Sequence, residues 1–228
     1  MKIGILIAGP IADALQPTYG DYGKIYAEFL QGHGFSFRSF FVFDGDVPDD
    51  PSLCDGWIIT GSKFGAYEDH PWIPPLEALI RNVHAAKRPL VGICFGHQII
   101  AQALGGQVEK YEGGWAAGRT EYRGADGMLT LNAWHQDQVV AVPPNATVLA
   151  RNAFCQNAVL LIGDSTLTYQ PHPEFGVPYL SDLIEHRGYG IVPNSILAQA
   201  KADLHKHTDN EAIAAKISAF FASSQVPA

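Results

Sequence analysis

Along the first hundred residues, short apolar runs alternate with segments whose apolar positions fall three and four apart. Residues 3–7 are a continuous buried-type run closed by Gly9 and Pro10, which predicts a first strand. Tyr22, Ile25, Tyr26, Phe29 and Leu30 then fall on one helical face, ended by Gly32 and Gly34. An aromatic-rich strand over 35–43, a strand over 56–60 and a helix opened by Pro74 and Pro75, with Leu76, Leu79 or Ile80, and Val83 inward, follow. Leu90 to Ile93 form the next strand, and Ile99, Ile100, Ala103 and Leu104 recur at helical spacing until Gly105 and Gly106.

Strands alternating with helices imply a mostly parallel sheet covered on both faces, with sites beyond the carboxyl ends of its strands. From residue 107 the pattern changes to short pieces broken by turns: 107–111, 118–122, 138–142, 147–151, 158–162 and 166–170, which read as antiparallel strands. The end is helical, over about 176–222. The fold class expected is α/β, a mostly parallel central sheet flanked by helices with a smaller antiparallel part. Without linker, repeat or low-complexity tract, residues 1–228 are expected to form a single domain.

Composition narrows the function. Fifteen basic against twenty-three acidic residues give a net charge of −8, without a basic cluster, which argues against nucleic acid or an anionic membrane as partner. Three scattered cysteines match neither a disulfide framework nor a zinc site and fit a reducing, cytoplasmic setting. Met1 to Ala14 could imitate a secretory signal, yet one lysine is a thin n-region, and the reading preferred is a strand. No apolar run reaches the ~18 residues of a membrane span.

Candidate chemistry centres on Cys94, placed where strand becomes helix, with Gly92 and Gly96 at i−2 and i+2. This is the spacing of a nucleophile elbow, whose tight turn leaves no room for side chains on either flank. A thiol at a helix N-terminus also faces free N–H groups and the positive end of the dipole. The plain alternative, a buried structural or incidental cysteine, fits Cys54 and Cys155, neither of which has a glycine on both flanks. A thiol nucleophile needs a base, and the base an acceptor on its other ring nitrogen. Gln170-Pro-His-Pro-Glu174 supplies both: a residue before proline is extended, so His172 and Glu174 share a side. A solvated turn histidine is the alternative there.

Gly92-Ile-Cys-Phe-Gly-His-Gln98 and His172-Pro-Glu174, about eighty residues apart, resemble the G-x-C-x-G-x-Q and H-P-E motifs of class I, or triad-type, glutamine amidotransferases. Thr60-Gly61-Ser62, Ala66 to Asp69 and Trp134-His-Gln-Asp137 agree further, the last with Trp134 in place of serine, and the likeness covers about residues 1–180. Similar stand-alone members include plant γ-glutamyl peptidases, and the glutaminase domain of GMP synthetase is also alike. The resemblance implies a flavodoxin-like fold and a Cys94–His172–Glu174 triad that hydrolyses the γ-glutamyl amide through a thioester. It further implies an oxyanion hole from the N–H groups of Gly61 and Phe95, and substrate contacts from Gln98 and the backbone around His135 and Gln136.

No metal-ligand spacing, G-x-G-x-x-G or P-loop pattern occurs, so neither a metal nor a nucleotide cofactor is expected. The resemblance implies a small-molecule substrate, glutamine or a γ-glutamyl compound. Three readings stay open: a glutaminase working with a separate synthetase subunit, a self-contained γ-glutamyl peptidase, and a silent binding module, against which the intact triad argues. Trp115 either edges the site or packs in the core.

Overall fold

The computed structural model describes residues 1–125 and 127–223. In chain order the strands are β1 (Lys2–Ile7), β2 (Ser36–Phe41), β3 (Gly56–Ile59), β4 (Leu90–Ile93), β5 (Gln107–Lys110), β6 (Ala116–Gly124), β7 (Gly127–His135), β8 (Asp137–Ala141), β9 (Ala146–Arg151), β10 (Val159–Ile162) and β11 (Thr166–Tyr169). The helices are α1 (Gln16–Tyr19), α2 (Tyr22–Phe29), α3 (Ile73–Ala85), α4 (Phe95–Ala103), α5 (Val177–Leu183), α6 (Asn194–Ala202) and α7 (Asn210–Ser223), with a π-helical turn over Ile184–Gly188.

One sheet runs in the order β2-β1-β3-β4-β11-β10-β9-β6-β7. Its first five strands are mutually parallel, and the remaining four continue it antiparallel. β5 and β8 form a separate antiparallel pair. The α/β class with helices on both faces is therefore as expected. Alternate side chains of β1 supply the two cores: Ile3, Ile5 and Ile7 pack with Ile25, Tyr26 and Ile217 on one face, while Leu6 joins Leu76, Ile80 and Ile99 on the other.

Three details differ from expectation. The 166–170 strand, read as antiparallel, is the last parallel strand: β11 lies parallel to β4 on one edge and antiparallel to β10 on the other. Its four residues are all buried, so an in-out rhythm that would distinguish the two settings is missing. β7 was not anticipated, yet it pairs with β6 along its whole length. Its polar Thr130 and Asn132 are buried, which blurs the alternation a half-buried strand normally shows. Between β1 and α2 the short α1 was likewise not anticipated.

A third cluster, built from Leu180, Ile184, Val192, Leu197 and Ala200, packs against Trp115 and Trp134 and so fixes α5, the π-helical turn and α6 beside the carboxyl end of β4, while α7 packs in the first core through Ile213, Ile217 and Phe221. No helix among the described residues is long and apolar enough to cross a membrane.

Candidate active site

Cys94 follows β4 and caps α4, with φ 54° and ψ −103°. A non-glycine residue at positive φ costs about 1–3 kcal/mol and persists only where its surroundings over-determine it. They do so here. The Cys94 N–H donates to Tyr169 O of β11 at 2.8 Å, and its carbonyl accepts from Gln98 N at 3.1 Å. A Cβ on Gly96 would lie 2.3 Å from Ile59 O, and one on Gly92 2.5 Å from Gly96 O. The turn can close only with glycine at both positions.

His172 is brought to the same place by β7. Its N–H donates to Asn132 O at 2.8 Å, while Asn132 Nδ2 donates to Phe175 O at 2.9 Å, so the buried asparagine clamps both sides of the His-Pro-Glu segment. The imidazole stacks on Phe175, with centroids 3.9 Å apart and planes at 7°. Its Nδ1 meets Glu174 Oε1 at 2.8 Å, and both side chains are almost completely buried. His172 and Cys94 line one cavity together with Tyr22. Burial pushes the His172 pKa down, but interactions with Glu174 and the neighbouring Cys94 side chain, electrostatic and hydrogen-bonding, outweigh it and lift the value to about 10.

Sequence reasoning missed a third partner. Tyr26, fully buried on α2, donates its phenolic O–H to Glu174 Oε1 at 2.9 Å, while Oε2 has no hydrogen-bond partner among the described residues. Two tyrosines on the inward face of a helix were the available signal, because a buried phenol needs a partner for its hydroxyl.

Gly61 lies opposite: a Cβ there would come within 3.0 Å of His172 Cε1 and 3.8 Å of Cys94 Cβ. Neither the Gly61 nor the Phe95 N–H has an acceptor among the described residues, leaving two donors beside the sulfur. The Cys94 Sγ itself lies 3.9 Å from Trp134 O.

A cavity of about 290 Å³ opens on one side of Cys94, bordered by Gln98, His135, Gln136 and Trp115. Gln98 is held rigidly, its Nε2 donating to Asp137 O at 2.9 Å and Gln170 Oε1 at 3.1 Å. Burial lowers the pKa of His135 to about 3, so it is neutral, and that of the equally buried His97 likewise. Trp115 edges this cavity and meets the Trp134 ring edge-on at 6.4 Å. Cys54 and Cys155 are buried and free, and burial drives the Cys155 thiol to about 12. Among the described residues no three His, Cys, Asp or Glu side chains converge as metal ligands would.

Residues 49–178 match the family model for glutamine amidotransferase class-I. The chain belongs to the class-I glutamine amidotransferase family. It is 30% identical over 223 residues to γ-glutamyl peptidase 4 of Arabidopsis thaliana, an alignment covering 90% of this chain and 89% of the relative. The fold matches that of a glutamine amidotransferase from Methylobacillus flagellatus with a TM-score of 0.80 at 20% identity, over 100% and 96% of the two chains. A glutamine amidotransferase from Thermotoga maritima superposes with a TM-score of 0.75 at 19% identity, over 99% and 98%. Within this family framework, β4 and α4 present Cys94 at the open end of the parallel strands, where α/β sheets hold their ligands.

Proposed function

We propose that this amidotransferase hydrolyses γ-glutamyl amide bonds through a thioester on Cys94, with glutamine as the simplest substrate. The observation that carries the reading is a thiol on a constrained elbow whose neighbouring imidazole is tied, on its far nitrogen, to a buried carboxylate. The Cys94 sulfur attacks the γ-carbonyl carbon, and the oxyanion is met by the N–H groups of Gly61 and Phe95. His172, protonated through neutrality, gives its proton to the departing nitrogen as the C–N bond breaks. Water then attacks the thioester, its proton passes to His172, and glutamate leaves as the sulfur is restored. Glu174 keeps the imidazole oriented throughout. Gln98, His135 and Gln136, on the larger cavity, contact the amino-acid end of the substrate.

A second reading, in which γ-glutamyl peptides are the natural substrates, is favoured by the likeness to γ-glutamyl peptidase 4 over nearly the whole chain. Glutamate release by the purified chain, from glutamine in one vessel and glutathione in another, tests both. Release lost in Cys94→Ala is the expected result. Slow release from glutamine alone, accelerated by a synthetase, would favour a glutaminase subunit with a separate partner. Undiminished release by Cys94→Ala would refute the mechanism.

A further inference from the structure

Cys94 stands at the junction of two cavities, and their chemistry differs. The larger one carries Gln98, His135 and Gln136 and is lined by both signs of charge, with Glu68 and Asp137 against Lys110. That mixture suits the zwitterionic end of a γ-glutamyl group. The smaller one, about 70 Å³, lies on the His172 side and, apart from Ser62, Lys63 and Arg187, is walled by apolar groups and tyrosines, among them Ile11, Phe175 and Tyr179. His172 borders only this second cavity, whereas Gln98 borders only the first. Since His172 must protonate the departing nitrogen, the leaving group occupies the second cavity when the glutamyl group fills the first.

The second cavity holds two permanent cations, Lys63 and Arg187, and no carboxylate. Both also border the first cavity, so they stand at the shared opening beside the sulfur. Neither forms an ion pair among the described residues: the Lys63 ammonium sits 5.2 Å from the Phe64 ring centroid, and the half-buried Arg187 lies near enough to Tyr179 for its charge to act on that phenol. Arg187 is carried by the π-helical turn Ile184–Gly188, a local widening of the helix that recurs at functional sites. A half-buried guanidinium without a carboxylate partner is poorly compensated, and its planar fork matches a carboxylate bidentately. In a chain of net charge −8, two unpaired cations at one opening are a local reversal of sign.

We propose that Arg187, assisted by Lys63, forms an anion subsite for a carboxylate on the leaving group, so that the preferred substrates are γ-glutamyl amino acids or short γ-glutamyl peptides. This rests on the γ-glutamyl hydrolysis proposed above and names its substrate class. Ammonia, the leaving group of glutamine, gains nothing from either cation, whereas the α-carboxylate of a departing glycine-sized amine would sit in the cavity that both cations border.

The test compares kcat/KM for γ-glutamylglycine, γ-glutamylglycinamide and γ-glutamylmethylamide. Glycinamide is the less basic amine and so the better leaving group, which means a preference for the acid cannot come from leaving ability. The wild-type chain is expected to favour γ-glutamylglycine over its amide by about tenfold, the size of one charge-assisted contact at a partly exposed site. Arg187→Gln brings that ratio close to one, Arg187→Lys retains part of it, and added salt erodes it in the wild type. Because both substrates are compared within one preparation, a poorly folded fraction does not alter the ratio, and Lys63→Gln gives an independent, smaller reduction from an exposed position. Hydrolysis of all three substrates without preference for the acid, or an Arg187→Gln ratio equal to that of the wild type, overturns the subsite while leaving the hydrolytic reading standing. Turnover of glutamine but of none of these three also overturns the subsite alone, and turnover neither of these nor of glutamine overturns both.

Discussion

Tyr26→Phe removes one oxygen from a residue that borders neither cavity beside Cys94, yet it should slow the reaction. The Glu174 side chain is fully buried, and its Oε1 accepts from His172 Nδ1 at 2.8 Å and from the Tyr26 hydroxyl at 2.9 Å. Phenylalanine keeps the ring in place, so no cavity opens, but the carboxylate loses one of its two recorded donors. A hydrogen bond to a charged group contributes about 1.5–3 kcal/mol. Felt fully in the transition state this would be about ten- to a hundredfold in rate, at about 1.4 kcal/mol per factor of ten. The His172 bond survives, so the lower end, about a tenfold fall in kcat, is expected from steady-state glutamate release. KM should stay within about twofold, because Tyr26 borders neither cavity beside Cys94. In a Glu174→Gln background the same substitution should add little, since the two residues act as one unit. Wild-type kcat in Tyr26→Phe, a change confined to KM, or full additivity with Glu174→Gln would refute the reasoning.

Other perturbations bear on the same geometry. His172 should titrate near pH 10 by NMR, and Glu174→Gln should drop that value steeply, because burial then acts with less opposition. The sign for stability follows from a folded pKa above the unfolded ~6.5: the contribution is complete below about pH 6.5 and is lost as pH rises through about 10, measurable as a falling melting temperature over that window relative to His172→Gln. Gly96→Ala forces a Cβ to 2.3 Å from Ile59 O, a backbone atom that cannot step aside, so denaturant unfolding should show a loss of about 1–3 kcal/mol or more together with loss of activity. Gly61→Ala sets a Cβ 3.0 Å from His172 Cε1 without left-handed strain, so activity should fall about tenfold while stability changes by less than about 1 kcal/mol.

What was legible in the sequence is what local chemistry dictates. The glycines flanking Cys94 announce a tight strand-to-helix turn because only a missing Cβ lets the backbones of residues 59, 92 and 96 approach, and the structure has β4, a left-handed Cys94 and α4 there. The prolines around His172 likewise fix an extended segment that carries two side chains to one side. What was not legible depends on partners distant along the chain. Tyr26 and Glu174 are separated by 148 positions, and nothing in the helical rhythm of α2 says which inward residue meets a carboxylate. Asn132 reads as a polar interruption until β7 is laid beside the His172 segment. Arg187 reads as one more helix-end cation until the third apolar cluster turns its segment toward the sulfur. Strand direction was lost at β11 for the same reason, because a fully buried four-residue run looks alike in either setting.

A γ-glutamyl group carried covalently on one sulfur is detectable by intact-protein mass spectrometry after rapid acid quench, followed by peptide mapping. With glutamine or γ-glutamylglycine present at turnover, the account predicts a fraction of the chain heavier by one γ-glutamyl group, located on the peptide containing Cys94, larger in Tyr26→Phe if water attack slows more than thioester formation, and absent in Cys94→Ala. Glutamate release with the adduct on Cys54 or Cys155, or with equal turnover in Cys94→Ala, would contradict it.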